Sequence, residues 1–335
     1  MAVATTEKIL VEILPAEAMP KEESQFRIVA RRFARHKLAV VSLSFLLVIL
    51  FISLFARSIA PYGPTELALN ETFAAPFSRS TEGNQMHYLG TDHLGRDYFS
   101  RIIYAARISL SVSLTVVLGS VVIGSLIGAT SGFYGGWMDD VLQRIVEFLL
   151  TLPLLPILLI LSSILLQAPE TIPLPDVLLK TVGAFMYIQP REAQQVVMVI
   201  IVLMAFGWLG IARLMRGMVL SLKNMDFIEA SRALGLSNLR IIGRHLIPNA
   251  FAPIIVSASL ALADYLILEA ALSFIGFGIQ DPTPTWGNML AFTQSYMFNH
   301  PWLPLVPGLP MFVCTLAFNF IGDGLRDALD PRLKL

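Results

Sequence analysis

The residue types that ordinarily do chemistry are sparse here and poorly placed for it. His36, His87, His93, His245 and His300 are scattered and join no cysteines or acids at metal-ligand spacing, so an enzyme reading has no chemical anchor. No G-x-x-x-x-G-K-[ST] phosphate loop occurs, so this chain is not expected to hydrolyse ATP itself. The single cysteine, Cys314, excludes a disulfide framework and sits in an apolar stretch, where it is expected to pack as a small hydrophobe. Two polar groups stand out against apolar surroundings. One is the run Met225 to Pro248, MDFIEASRALGLSNLRIIGRHLIP, and the other is the pair Asp264 and Glu269 inside an apolar segment.

The run at 225–248 is too polar to span a membrane and too patterned for a passive linker. Asp226 can cap a helix whose third residue, Glu229, reaches back to the cap's own amide. Gly235 suits the left-handed position that ends such a helix, Ser237 can cap a second one, and Pro248 marks where that one yields to the next apolar segment. Two short helices joined by a sharp turn are expected. Three uses fit that shape: a helix-turn-helix for DNA, which tethering at both ends places badly for a groove; an amphipathic helix on the membrane surface; and a docking element for another protein.

Asp264 lies 16 residues beyond Pro248, about 24 Å along a helix at roughly 1.5 Å per residue. A charge facing lipid at that depth costs at least a few kcal/mol, so the carboxylate must face either a neighbouring helix or a water-filled pore. In a pore, Asp264 would attract the cationic end of a ligand, and Glu269 would extend that field toward the entrance.

The elements that would position these residues follow from composition. With 335 residues, 55% of them hydrophobic and 14% charged, the chain holds more apolar surface than one soluble core can cover. Its formal net charge of zero gives no sign of nucleic acid as a partner. Leu38 to Phe55 starts far from the N-terminus and lacks a cleavage signature, so it reads as a retained membrane helix. Five further segments can span: Ile108 to Thr130, Val141 to Leu166, Val196 to Met215, Ala250 to Ala271 and Pro304 to Ile321. Helices are required because unpaired backbone groups in lipid cost several kcal/mol apiece.

Arg27, Arg31, Arg32, Arg35 and Lys37 argue for a cytoplasmic N-terminus by the positive-inside rule, and six crossings return the C-terminus to the same side. The basic residues between helices four and five, and Arg326, Arg332 and Lys334, then fall inside as well. Arg79, Arg96, Arg101 and Arg107 conflict with this scheme, since it places them outside, and Glu66, Glu71, Glu82, Asp92 and Asp97 do not cancel them. Val177 to Ile188 is too short to span and is expected to be interfacial or re-entrant. Gly124 and Gly128, with Gly119 near, form a close-packing signal. Trp286, Tyr296 and Trp302 are expected in an interfacial aromatic belt.

Glu229, Ala230, Gly235 and Pro248 resemble the E-A-A-x-x-x-G signature loop of ABC importer permeases, with Ser231 in place of the second alanine. GTDHLGRDYFSRIIYAARISL at Gly90 to Leu110, GGWMDD at Gly135 to Asp140, ALSFIGFGIQDPTPTWGNML at Ala271 to Leu290 and LAFNFIGDGLRDALDPR at Leu316 to Arg332 are similar to the C-type permease of peptide and nickel importers.

The resemblance implies an all-α integral membrane protein with six transmembrane helices and the type I importer permease fold. It implies a cytoplasmic tail at 1–37, a first helix at 38–56, an extracytoplasmic loop at 57–107, a core domain at 108–322 with its coupling loop at 224–248, and a cytoplasmic tail at 323–335. That loop, through Asp226, Glu229, Ala230, Ser231, Gly235, Leu236, Ser237 and Pro248, would dock on one of two cytoplasmic ABC ATPase subunits. ATP and Mg would be bound there and not by this chain. A second homologous permease would complete the pore, a substrate-binding protein would deliver cargo outside, and the setting would be a bacterial or archaeal inner membrane. Peptides are the expected cargo, with nickel complexes or oligosaccharides as the alternative; a channel or secondary transporter working without ATP is the alternative of another class.

Overall fold

The computed structural model describes residues 25–81, 85–168 and 172–330. Residues 1–24, 82–84, 169–171 and 331–335, among them Glu82, Arg332 and Lys334, lie outside the described residues. Along the chain run α1 (Gln25–Arg35), α2 (Lys37–Leu54), α3 (Ala56–Ile59), β1 (Ser78–Arg79), β2 (Met86–His87), α4 (Tyr98–Tyr134), α5 (Gly136–Thr151) and α6 (Leu154–Gln167). They are followed by α7 (Asp176–Met186), α8 (Pro190–Leu222), α9 (Asp226–Ala233), α10 (Asn238–Ile241), α11 (Ile247–Ile275), α12 (Trp286–Thr293) and α13 (Leu305–Leu329).

Among the described residues five helices are long and apolar enough to cross a membrane: α2, α4, α8, α11, which continues without a break from α10, and α13. The third expected span, Val141 to Leu166, is not one rod. It is α5 and α6, bent by 93°. Pro153 supplies the cause: it has no N–H to continue the ladder and it pushes Leu152 to an extended ψ of 141°. Counted as one broken span, the pair brings the total to six.

Close packing of α4 on α8 forms the centre. A Cβ at Gly124 would sit 2.7 Å from the Trp208 carbonyl, and one at Gly128 would strike the Ala212 carbonyl, so only glycine lets these backbones approach. Ile108, Val112 and Val116 of α4 meet Val199, Val202 and Leu203 of α8 in the same seam, joined by Leu158 of α6 and Leu272 of α11. The stretch Val177 to Ile188 forms the short α7, whose Met186 packs into that cluster.

The first and last helices are stapled together. Arg32 of α1 donates to the Asp330 carbonyl at 2.9 Å, and Gly324 of α13 abuts Ala39 and Phe33. The tail expected from 323 therefore begins as the last turns of α13, and the tail expected to end at 37 contains a packed helix.

One side-chain expectation changes and one holds. Trp286 is 1% exposed and belongs to the core with Tyr98, Leu303 and Cys314, while Tyr296 and Trp302 are half-buried against Phe73 and Tyr98. Trp286 therefore belongs to the protein core and not to a lipid-facing belt. Cys314 is fully buried among apolar neighbours.

Candidate functional site

The segment between α8 and α11 folds as two helical pieces around a sharp turn, with differences in detail. Met225, not Asp226, is the cap of α9; it has no side-chain bond to give, and its carbonyl accepts from Ile228 and Glu229 at 2.8 and 3.2 Å. Asp226 and Glu229 occupy the first turn, where their charge suits the positive end of the helix. The anticipated side-chain capping box is therefore absent. Gly235 has φ +75°. Its amide bonds to the Arg232 carbonyl at 2.9 Å, and Leu236 reaches back to Ser231 at 3.2 Å, the paired bonds of a Schellman ending. Ser237 has the extended backbone of a cap, though its hydroxyl makes no capping bond.

Pro248 does not end a helix. Between α10 and α11 the chain widens into a π-turn, Ile242–Leu246, and the axis continues unbroken from Asn238 to Ile275. A wider turn just ahead of the proline accommodates the bond its missing N–H removes.

The loop has a buried underside and an uncovered top. Ile228, Ile241, Ile242 and Leu246 pack on Ala129 and Phe133 of α4 and on Met215 and Val219 of α8. Ser231 is buried and donates to the Phe227 carbonyl at 2.7 Å, so it is a structural replacement for alanine. On the outer side Glu229, Ala230, Gly235 and Ser237 are exposed together with Leu234 and Leu239, at 80% and 75%.

A bracket that the residue pattern did not reveal fixes the loop's base. Asp139 of α5 takes both Nε and Nη2 of Arg216 on α8 at 2.6 Å each, and accepts from Ser131 of α4. Lys223 donates to the Gly132 carbonyl at 3.0 Å, and Arg232 of α9 lies 5.4 Å over the Phe133 ring. The Asp-Asp of GGWMDD and the Arg-x-x-Arg at 213–216 were visible as residues; that they meet across three helices was not.

The two acids of α11 part company. Asp264 is exposed on the chain's surface and lines a cavity of about 400 Å³ with Leu154, Tyr265 and Leu268. Glu269 is fully buried, accepting from Ser109 of α4 at 2.9 Å and from Ser273 at 2.8 Å. It reaches no surface of the chain and acts as a tie between α4 and α11.

At the opposite end from the loop, three of the four arginines that strained the charge rule, Arg96, Arg101 and Arg107, are buried, while Arg79 is exposed. Arg96 and Arg101 both pair with Asp281, and Arg96 also holds Asp92 at 2.6 Å. Arg107 caps the end of α2 by donating to the Leu54 carbonyl at 2.8 Å, with its guanidinium 4.2 Å from the Tyr187 ring. Nearby, His87 is held at both ring nitrogens, by Glu71 at 2.7 Å and Asp97 at 2.9 Å. Burial alone would raise the Glu71 carboxyl, but bonds from Thr81, His87 and Ser80 outweigh it and hold it at about 2.

Helices long and apolar enough to cross a membrane, with an uncovered loop at one end, make this the architecture of an integral membrane component. The chain belongs to the family described as binding-protein-dependent transport system inner membrane component, which matches residues 120–335. Residues 24–76 match the N-terminal TM domain of oligopeptide transport permease C. Relatives include the dipeptide transport system permease protein DppC of Alkalihalophilus pseudofirmus, 35% identical over 96% of each chain. The di/tripeptide permease protein DppC of Pseudomonas aeruginosa is 37% identical over 90% of each. The glutathione transport system permease protein GsiD of Pectobacterium atrosepticum is 35% identical over 98% of each. The protein is thus a multi-pass membrane permease subunit of a binding-protein-dependent transport system.

Proposed function

We propose that this permease forms, with a second homologous permease, the pore of an ATP-driven importer of di- or oligopeptides. The observation that carries the reading is the loop at 225–246, seated on α4 and α8 by a buried apolar underside while Glu229, Leu234 and Leu239 stand free on top. A docking surface needs that combination, because a loop that flexed at its base would absorb the motion it should transmit. The relatives' names, dipeptide, di/tripeptide and glutathione, support peptides ahead of nickel complexes or sugars.

In this reading two ABC ATPase subunits dock on the loops of the two permeases and bind ATP and Mg, while a substrate-binding protein delivers cargo at the opposite face. The loop end is cytoplasmic. The arginines of α1 support that side, since α1 packs on the end of α13 and both are followed or preceded by basic chain. Asp264, exposed at mid-helix, faces the pore or the second permease, because lipid is excluded on energetic grounds.

The test is reconstitution of the complex in liposomes with its ATPases and binding protein. Uptake of a labelled dipeptide should require ATP, and Glu229→Ala should keep ATP hydrolysis while losing most uptake. Uptake driven by an ion gradient, without ATP, would overturn the importer reading in favour of a secondary transporter.

A further inference from the structure

The broken span α5–α6 carries charges that make no direct bond within the fold, though Asp140 and Glu147 lie near enough to Arg216 to favour its charge. Asp140, Arg144 and Glu147 are exposed on α5 and make no hydrogen bond or ion pair among the described residues. With Gln143 and Arg216 they line a cavity of about 350 Å³. Arg216 is already engaged by Asp139, so the three α5 charges are the ones left facing the space.

The spacing of these residues is directional. Positions 140, 144, 147 and 151 follow one another by four, three and four residues, which is one face of a helix. Asp140, Arg144, Glu147 and the exposed Thr151 occupy it in turn, and Leu154, just past the bend, lines the cavity of Asp264 on α11. From Asp140 to Thr151 the line covers about 16 Å at 1.5 Å per residue. Beside it, rotated by about a quarter turn, Trp137, Val141, Ile145 and Phe148 form a second uncovered face that is apolar. Helix α5 therefore leaves two faces open, one fit for lipid and one unfit for it. A charged face on a membrane helix turns to a protein partner or to water.

We propose that this face, from Asp140 through Arg144 and Glu147 to Asp264, is the wall of the inner half of the translocation path. There it presents charges of both signs to the free amino and carboxylate ends of the cargo. The inference rests on the permease reading above and gives it a substrate-contact surface. Negative charge at Glu147 and Asp264 receives the ammonium end; Arg144, one turn before Glu147, receives the carboxylate. Mixed charge also keeps the wall from holding either end tightly, which passage requires.

The experiment uses single cysteines in a Cys314→Ser background, in inside-out membrane vesicles carrying the assembled complex. The probe is the impermeant reagent 2-(trimethylammonium)ethyl methanethiosulfonate. Arg144→Cys, Glu147→Cys and Thr151→Cys should react about tenfold faster than Ile145→Cys and Phe148→Cys, because a thiolate forms only where water reaches it. Equal rates on the two faces, or slower reaction on the charged one, would overturn the proposal. Labelling needs neither ATP nor peptide, so it stands or falls apart from the importer reading, which ATP-dependent uptake judges. A second readout needs no cysteine: Glu147→Gln with Asp264→Asn should lower uptake of a lysine-containing dipeptide relative to a glutamate-containing one by about fivefold. An unchanged ratio would remove the charge-matching role.

Discussion

Arg96 grips Asp281 through one guanidinium nitrogen, Nη1, which reaches the two carboxylate oxygens at 2.8 and 2.7 Å across 185 residues of chain. Arg101 adds a third bond to the same carboxylate at 2.9 Å. The segment before α4 is thereby locked to the loop after α11, and two arginines that look misplaced by the charge rule are neutralised inside protein.

Asp281→Ala should consequently cost about 3 kcal/mol, the range for stranding buried charge after one partner is removed. A lowered thermal midpoint of the detergent-purified chain is the measurement. A midpoint within a degree of the parent would show that water already solvates both arginines.

Glu71 sets an acid limit on the same layer. Its carboxyl titrates at about 2 in the folded chain against an ordinary value of 4.5, so the folded state favours the ionised form. Stability from this group is therefore complete above about 4.5 and is lost as pH falls from there toward 2. The Glu71→Gln protein should show a flatter stability curve than the parent over that window, read by protease cutting within residues 57–97.

At Gly235 the φ of +75° meets open space, so the cost of a side chain is conformational alone. Gly235→Ala should lose about 1 kcal/mol locally and keep much of its uptake. Gly235→Pro forbids the left-handed turn and should uncouple ATP hydrolysis from transport at normal membrane insertion. Coupled uptake by the proline variant would show that the turn is dispensable.

The α4–α8 seam predicts a different kind of failure. Gly128→Leu drives a side chain into the Ala212 carbonyl and should cost about 3 kcal/mol by overpacking, whereas Gly217→Ala, with open space around it, should leave the folded yield intact. Size-exclusion profiles of fluorescent fusions compare the two directly.

Membrane segments were legible from apolar length, and the turn at Gly235 from the one residue that tolerates its φ. Pro248 misled, because a proline announces a broken ladder, while a π-turn one step earlier repairs it and has no residue signature. Trp286 misled for a related reason: amphipathic rings suit a lipid boundary and a protein core alike, and only the folded positions of Tyr98 and Leu303 decide. Glu269 and Asp264 look equivalent in an apolar run; five residues of helix put one on Ser109 and the other at the surface. The pairs Arg96–Asp281 and Arg216–Asp139 span 185 and 77 residues, beyond any local pattern.

The unbroken axis from Asn238 to Ile275 makes the loop and the mid-membrane acid parts of one rod. Leu239 at its exposed end and Asp264 are separated by about 37 Å at 1.5 Å per residue. Pivoted at its loop end, such a rod converts a tilt of about 10° into a sideways sweep of about 6 Å at Asp264. In the proposed importer, a small rotation between ATPase subunits would thus be geared up at Asp264 to about the width of a peptide backbone.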